Sequence, residues 1–228
     1  MFEIDPNSQA NLDEVVTTHL HLSLAVDFKD GVLRGSVVHD LEAVSDNVTR
    51  VVFDTNHLVV SGAYVLEGDD AVSVPMDMST THPVFGVALA ISLPTPLSKG
   101  DKVRIRVDYN TTSESGALQF LTPEYDSPAV KLTYSADITA PNPLRVLMSA
   151  INIGSESQGD HTVYKFLQKT TMPSYLLALV CGNLAKADIS PRCAVWTEPE
   201  NVDACAWEFA EMEKSLKTAE DLISPYSW

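Results

Sequence analysis

Six histidines and three cysteines are the residues with most to offer chemistry in this 228-residue chain, and one pair alone has a suggestive spacing. His19 and His21 stand two apart in the alternating segment His19-Leu-His-Leu-Ser-Leu-Ala-Val-Asp-Phe28. Residues two apart on a strand share a face. The two imidazoles would therefore lie side by side, and a third ligand from a neighbouring strand would complete a zinc site. The same spacing also makes them the polar, solvent-facing alternates of Leu20 and Leu22, which is the commoner use of such positions. His39, His57, His82 and His161 have no ligand spacing.

Cys181, Cys193 and Cys205 are twelve residues apart, form no Cys-x-x-Cys pair and match no zinc motif. Cys181 ends an apolar segment and Cys205 falls on an apolar helical stripe, so both read as packing residues. No Gly-x-Ser-x-Gly elbow, phosphate loop or dinucleotide fingerprint occurs, and the acidic residues form no recognisable acid/base pair. Taken by themselves, the residues define no catalytic, cofactor-binding or metal site.

The elements that would position these groups are mainly strands. In the first segment Leu20, Leu22, Leu24, Val26 and Phe28 share one face, and Lys29-Asp-Gly31 is a hairpin turn leading into a strand over Val32–Val38. Strand patterns continue over Val48–Phe53, Leu58–Val65, Val84–Leu93 and Lys102–Tyr109, separated by Glu67-Gly-Asp-Asp70, Pro94-Thr-Pro96 and Lys99-Gly-Asp101. A second β block is predicted over Val130–Ile138, Arg145–Ile151, Val163–Lys169 and Tyr175–Val180, with Asn152–Asp160 as a polar connecting loop.

At Thr197 the period changes. Thr197-Glu-Pro-Glu200 reads as a capping box with proline in the first turn. Val202, Cys205, Ala206, Phe209, Met212, Leu216, Ala219 and Ile223 then recur at helical spacing, which predicts one long helix ending before Pro225. The expectation is a mainly β chain of several antiparallel-rich sheets over 1–196, followed by one C-terminal α-helix in 197–228.

Composition narrows the partners. With 15 basic and 31 acidic residues the formal net charge is −16, a field that repels nucleic acid and anionic membrane surfaces. The N-terminus lacks the basic and apolar regions of a secretory signal, and no apolar run is long enough to span a bilayer. An odd number of cysteines fits a reducing compartment, so a cytoplasmic location is expected and the Asn47-Val-Thr49 and Asn110-Thr-Thr112 matches read as chance.

Several segments appear in an order that resembles a known family: Lys131-Leu-Thr-Tyr134, Leu147-Met-Ser-Ala150, Tyr175-Leu-Leu-Ala-Leu-Val180, Ala219-Glu-Asp-Leu222 and Pro225-Tyr226. Together with Pro94-Thr-Pro-Leu-Ser-Lys99 and Ser115-Gly-Ala-Leu-Gln-Phe-Leu-Thr-Pro-Glu124, they resemble the leukotriene A4 hydrolase-like branch of the zinc aminopeptidases. The resemblance implies a β-rich N-terminal domain leading into a thermolysin-like catalytic domain. In that family zinc polarises the carbonyl of a peptide while a glutamate activates water, and some members open a lipid epoxide. The resemblance also places the His-Glu-x-x-His motif and the third ligand downstream of the residues present here.

It implies a break as well. In the family, a strand bearing glutamine and a Cys/Arg/Pro stretch separate the counterpart of Leu118–Glu124 from that of Asp126-Ser-Pro-Ala-Val-Lys131, whereas here Glu124-Tyr125 runs directly into Asp126. Gln119 precedes the break and does not replace the missing residues. The expectation is a truncated or fragmentary relative, inactive alone, with no catalytic or metal residue transferred and with zinc and peptide substrates belonging to the full-length family. Self-association, or the binding of a partner, through the stripe Val202, Phe209, Met212, Leu216 and Ile223 is expected. A stand-alone β-domain binding or regulatory module is the alternative.

Overall fold

The protein is described from a computed structural model that covers residues 8–68, 70–83, 86–115 and 131–225. The expected break near 125, with Gln119, lies outside the described residues. The first hairpin pairs β1 (Val15–Asp27) with β2 (Val32–Ala43) in antiparallel register, Leu22 opposite Val37. Its turn is built as the sequence predicts: the Asp27 carboxylate accepts from the backbone N–H groups of Lys29 and Asp30, and Gly31 takes φ +65°. Farther along, a Cβ on Gly35 would lie 2.0 Å from the Ser23 carbonyl oxygen, so this close approach of β2 to β1 requires glycine.

The large sheet has eight strands in the order β12-β13-β10-β1-β2-β9-β4-β5. Here β4 is Leu58–Glu67, β5 Asp70–Ser73, β9 Lys102–Thr111, β10 Lys131–Pro141, β12 Ile151–Gln158 and β13 His161–Pro173. A smaller sheet contains β3 (Val48–Thr55), β8 (Gly86–Leu97), β6 (Met76–Asp77) and β7 (Thr81–His82). Two further pairs are β11 (Arg145–Met148) with β14 (Leu179–Gly182) and β15 (Ala185–Ser190) with β16 (Cys193–Thr197). All described pairings are antiparallel except β1 with β10.

The apolar face of the large sheet carries two cores side by side. Leu41, Ala43, Ala63, Val65, Ile105 and Val107 meet Val48, Val51, Leu89 and Ile91 of the smaller sheet. Leu20, Leu22, Leu24, Tyr134, Ala136, Ile138 and Phe166 form the second core with Val146 of β11, and Leu179 and Cys181 of β14 pack against it. Burying one such side chain contributes about 1.5–3 kcal/mol, so alternation on β9, on β10 and on β1 beyond the irregularity at Thr17–His19 fixes which face turns inward.

Several boundaries differ from expectation. Phe28 lies beyond the end of β1 and is 53% exposed, because the turn carries it away from the core. Strand β8 continues through Pro94-Thr-Pro96 to Leu97, past the expected turn, and these prolines sit on exposed positions. Asn152–Asp160 is not a loop. Ile151–Gln158 forms the edge strand β12, and only Gly159 and Asp160 turn into β13. Tyr175 and Leu176 belong to a short 3₁₀ turn before β14 instead of a strand.

The single long helix expected from Thr197 is two helices, α1 (Val202–Glu208) and α2 (Met212–Leu222), after a 3₁₀ turn at Pro199–Asn201. The capping box does not form: the Thr197 hydroxyl donates to the Glu198 carboxylate at 2.8 Å, and neither helix has a side-chain cap. Between them the N–H groups of Ala210 and Met212 bond three residues back, to Trp207 and Phe209, which tightens the chain into a turn.

Candidate functional site

Strand β1 places His19 and His21 on one face, as the period-2 pattern predicts, and β10 supplies hydroxyls opposite them. His19 pairs with Thr133 and His21 with Ser135 in the parallel register. The His19 Nδ1 lies 2.7 Å from Thr133 Oγ1, and its Nε2 lies 3.0 Å from Ser135 Oγ. His21 Nδ1 approaches the same Ser135 oxygen at 2.8 Å. Both His19 nitrogens and Nδ1 of His21 thus face hydroxyls, and among the described residues no third ligand joins them.

The nearest acid by register is Asp40, opposite His19 on β2, and its carboxylate accepts from Arg104 Nε at 3.0 Å. Burial pushes the His19 pKa down; Asp40 opposes this, while His21 and Arg104 add to it. Among the described residues no group of three or more His, Cys, Asp or Glu is placed to hold a metal ion.

The other histidines do not join this pair. His39 stacks on Phe53 with ring centroids 4.3 Å apart, its Nδ1 3.4 Å from Thr17 Oγ1, and burial lowers its pKa to about 4. Part of the residue stays accessible, and Phe53 of β3 covers one face of the ring. His57 Nδ1 lies 3.4 Å from Glu114, and His161 Nδ1 lies 2.5 Å from Asp160. The cysteines are free and half-buried, and burial raises the Cys181 pKa.

One polar cluster gave no signal in the sequence. Arg192, in the turn between β15 and β16, reaches both Glu213 (3.0 Å) and Glu220 (2.7 Å) of α2, and Ser190 Oγ donates to Glu213 at 2.6 Å. Both carboxylates raise the Arg192 pKa, and Ser190 followed by Arg192 lowers that of Glu213. The two glutamates lie one helical repeat of seven apart, yet no sequence pattern shows which hairpin faces them. The helix therefore turns Glu213, Leu216 and Glu220 inward, while the other stripe residues Met212, Ala219 and Ile223 are exposed. Phe209 is 43% and Ile223 84% exposed, and Trp207 and Leu222 are also open to solvent.

The geometry describes a β scaffold with two appended helices and no assembled catalytic centre among the described residues. Comparison with known proteins agrees with the scaffold. Residues 110–176 match the family model described as the Peptidase M1 N-terminal domain. The chain is 34% identical to leukotriene A-4 hydrolase of Xenopus laevis, over 98% of this chain and 41% of that protein. It is likewise 34% identical to leucine aminopeptidase 2 of Pyricularia oryzae, over 98% of this chain and 40% of the relative.

Among solved structures, native yeast LTA4 hydrolase superposes with TM-score 0.84 at 27% identity, over 99% of this chain and 38% of the other. An M1 zinc metallopeptidase from Deinococcus radiodurans, at 19% identity and TM-score 0.66, shares the fold. The similarity is therefore to the N-terminal domain of M1 peptidases. Within that class the chain is similar to leukotriene A-4 hydrolase and leucine aminopeptidase 2. It spans about two-fifths of the length of these curated relatives. The alignment to the Xenopus protein runs over 252 positions against 228 residues here, so at least 24 of those positions have no residue in this chain.

Proposed function

We propose that these residues are the non-catalytic β portion of a zinc aminopeptidase of the leukotriene A4 hydrolase type, with peptide trimming carried out by a part of the protein outside this sequence. The single observation that carries the reading is the asymmetry of coverage: 98% of this chain against 41% of the relative. A catalytic zinc needs protein ligands, an open coordination position and a base beside it. Here the one suggestive imidazole pair is bonded to Thr133 and Ser135 instead. A boundary near residue 196, between the β domain and the helical segment, belongs to this reading, as does a cytosolic location, which the three free cysteines favour.

A shortened connection near residue 125 also belongs to it, and the 24 unmatched positions support a deletion without locating it. Strands β9 and β10 run in the same direction with β2 and β1 between them.

The purified chain, supplied with zinc and aminoacyl-anilide substrates, is expected to show no turnover that a chelator abolishes. Chelator-sensitive turnover by these 228 residues would overturn the reading.

A further inference from the structure

The β1–β10 pairing has a special place in the fold. Among the described residues it is the only strand pairing that joins the strands before residue 112 to those after residue 130. Its side-chain hydrogen bonds form an imidazole–hydroxyl row in the order Thr133, His19, Ser135, His21, with one further bond from the Thr133 hydroxyl to the Thr18 carbonyl at 3.5 Å. With neutral rings the row is satisfied in either direction, since each hydroxyl and each ring donates one proton and accepts one. One added proton is tolerated, because Ser135 can still donate to whichever ring remains neutral. Two are not: both rings then donate to Ser135 Oγ, its own proton loses its acceptor, and two cations share one oxygen.

Of the charges around the row, Asp40 favours a charged His19, while His21 and Arg104 oppose it. Asp40 on β2 is bound to Arg104 on β9. On β10 itself, Asp137 lies opposite Ser23 of β1 and Lys165 of β13.

We propose that the seam between the two β blocks is proton-gated, loosening along β1–β10 when both imidazoles around Ser135 are charged, while the strand pairs within each block hold. Leu20, Leu22 and Leu24 still pack on Tyr134, Ala136 and Ile138 beneath the seam, so the event is a loosening and not a separation. The inference does not rest on the enzymatic reading above.

Residue-resolved hydrogen exchange on the full chain, corrected for the intrinsic pH dependence of exchange, tests it between about pH 7.5 and about pH 5. Protection of β1 and β10 amides should fall at least about tenfold relative to β3–β8 and β4–β9 amides. The His19→Gln/His21→Gln double variant, which retains His39, should lose that selective fall. Should the double variant fail to fold, Ser135→Ala serves, since without the shared hydroxyl the seam should be weakly protected at both pH values. An equal loss of protection in all strands, or a selective loss that survives these substitutions, would overturn the proposal.

Discussion

At the scale of single residues, the histidines illustrate what alternation does and does not reveal. That His19 and His21 share a face followed from their spacing. That the face is closed by Thr133 and Ser135, more than a hundred residues away, depends on a parallel pairing that no local pattern encodes. His39 fell just past the strand expected over Val32–Val38, and its stacking on Phe53 joins two different sheets.

That burial has a consequence for stability. The folded pKa of about 4 lies below the ordinary 6.5, so as pH falls the unfolded chain takes the proton first. The stabilisation is complete above about 6.5, declines as pH drops toward about 4, and is then exhausted, for a loss on the order of 1–3 kcal/mol. Urea unfolding across this range should show the decline. His39→Phe, which keeps the stacking on Phe53, should flatten it; an unchanged slope in the variant would place the titration elsewhere.

Among the elements, strands were read better than helices. Core strands such as β9 alternate without interruption, so Ile105 and Val107 could point only one way. The C-terminal segment has no glycine or proline between Val202 and Leu222, and its stripe is continuous, so nothing local announces the turn at Ala210. Tertiary contacts impose it: α1 packs on β15 and β16, while Arg192 fastens α2 through Glu213 and Glu220.

Because ion pairs choose the inward face, the apolar flank is left open, and we expect it to drive self-association of the isolated chain. Leu222→Glu together with Ile223→Glu should shift sedimentation toward monomer with little change in melting temperature, since both residues are more than three-quarters exposed. Phe209→Glu should act in the same direction, whereas Leu216→Glu should also destabilise, because Leu216 is half-buried. A wild-type chain that stays monomeric at high concentration would remove the flank as a contact and favour a self-sufficient β module.

For the whole molecule, the sequence disclosed the mainly β architecture, the change of period at Thr197 and the family resemblance. The mixed order of the large sheet was not legible, because long-range pairings leave no mark on a strand's own pattern. Nor did it show that the two cores lie side by side on one sheet. The net charge of −16 is spread over this surface and opposes close approach of copies, so any association through the helical flank should strengthen with added salt.

The central claim is that these 228 residues are the N-terminal β portion of a larger metallopeptidase. It is tested most directly by reading the transcript across the codons for Tyr125 and onward past Trp228. The account predicts an open reading frame that continues into a His-Glu-x-x-His segment with a more distant glutamate. It also predicts a cellular polypeptide, detected with an antibody to the β domain, more than twice as heavy as 24.8 kDa. A stop codon directly after Trp228, with a stable 24.8 kDa protein accumulating in cells, would contradict it.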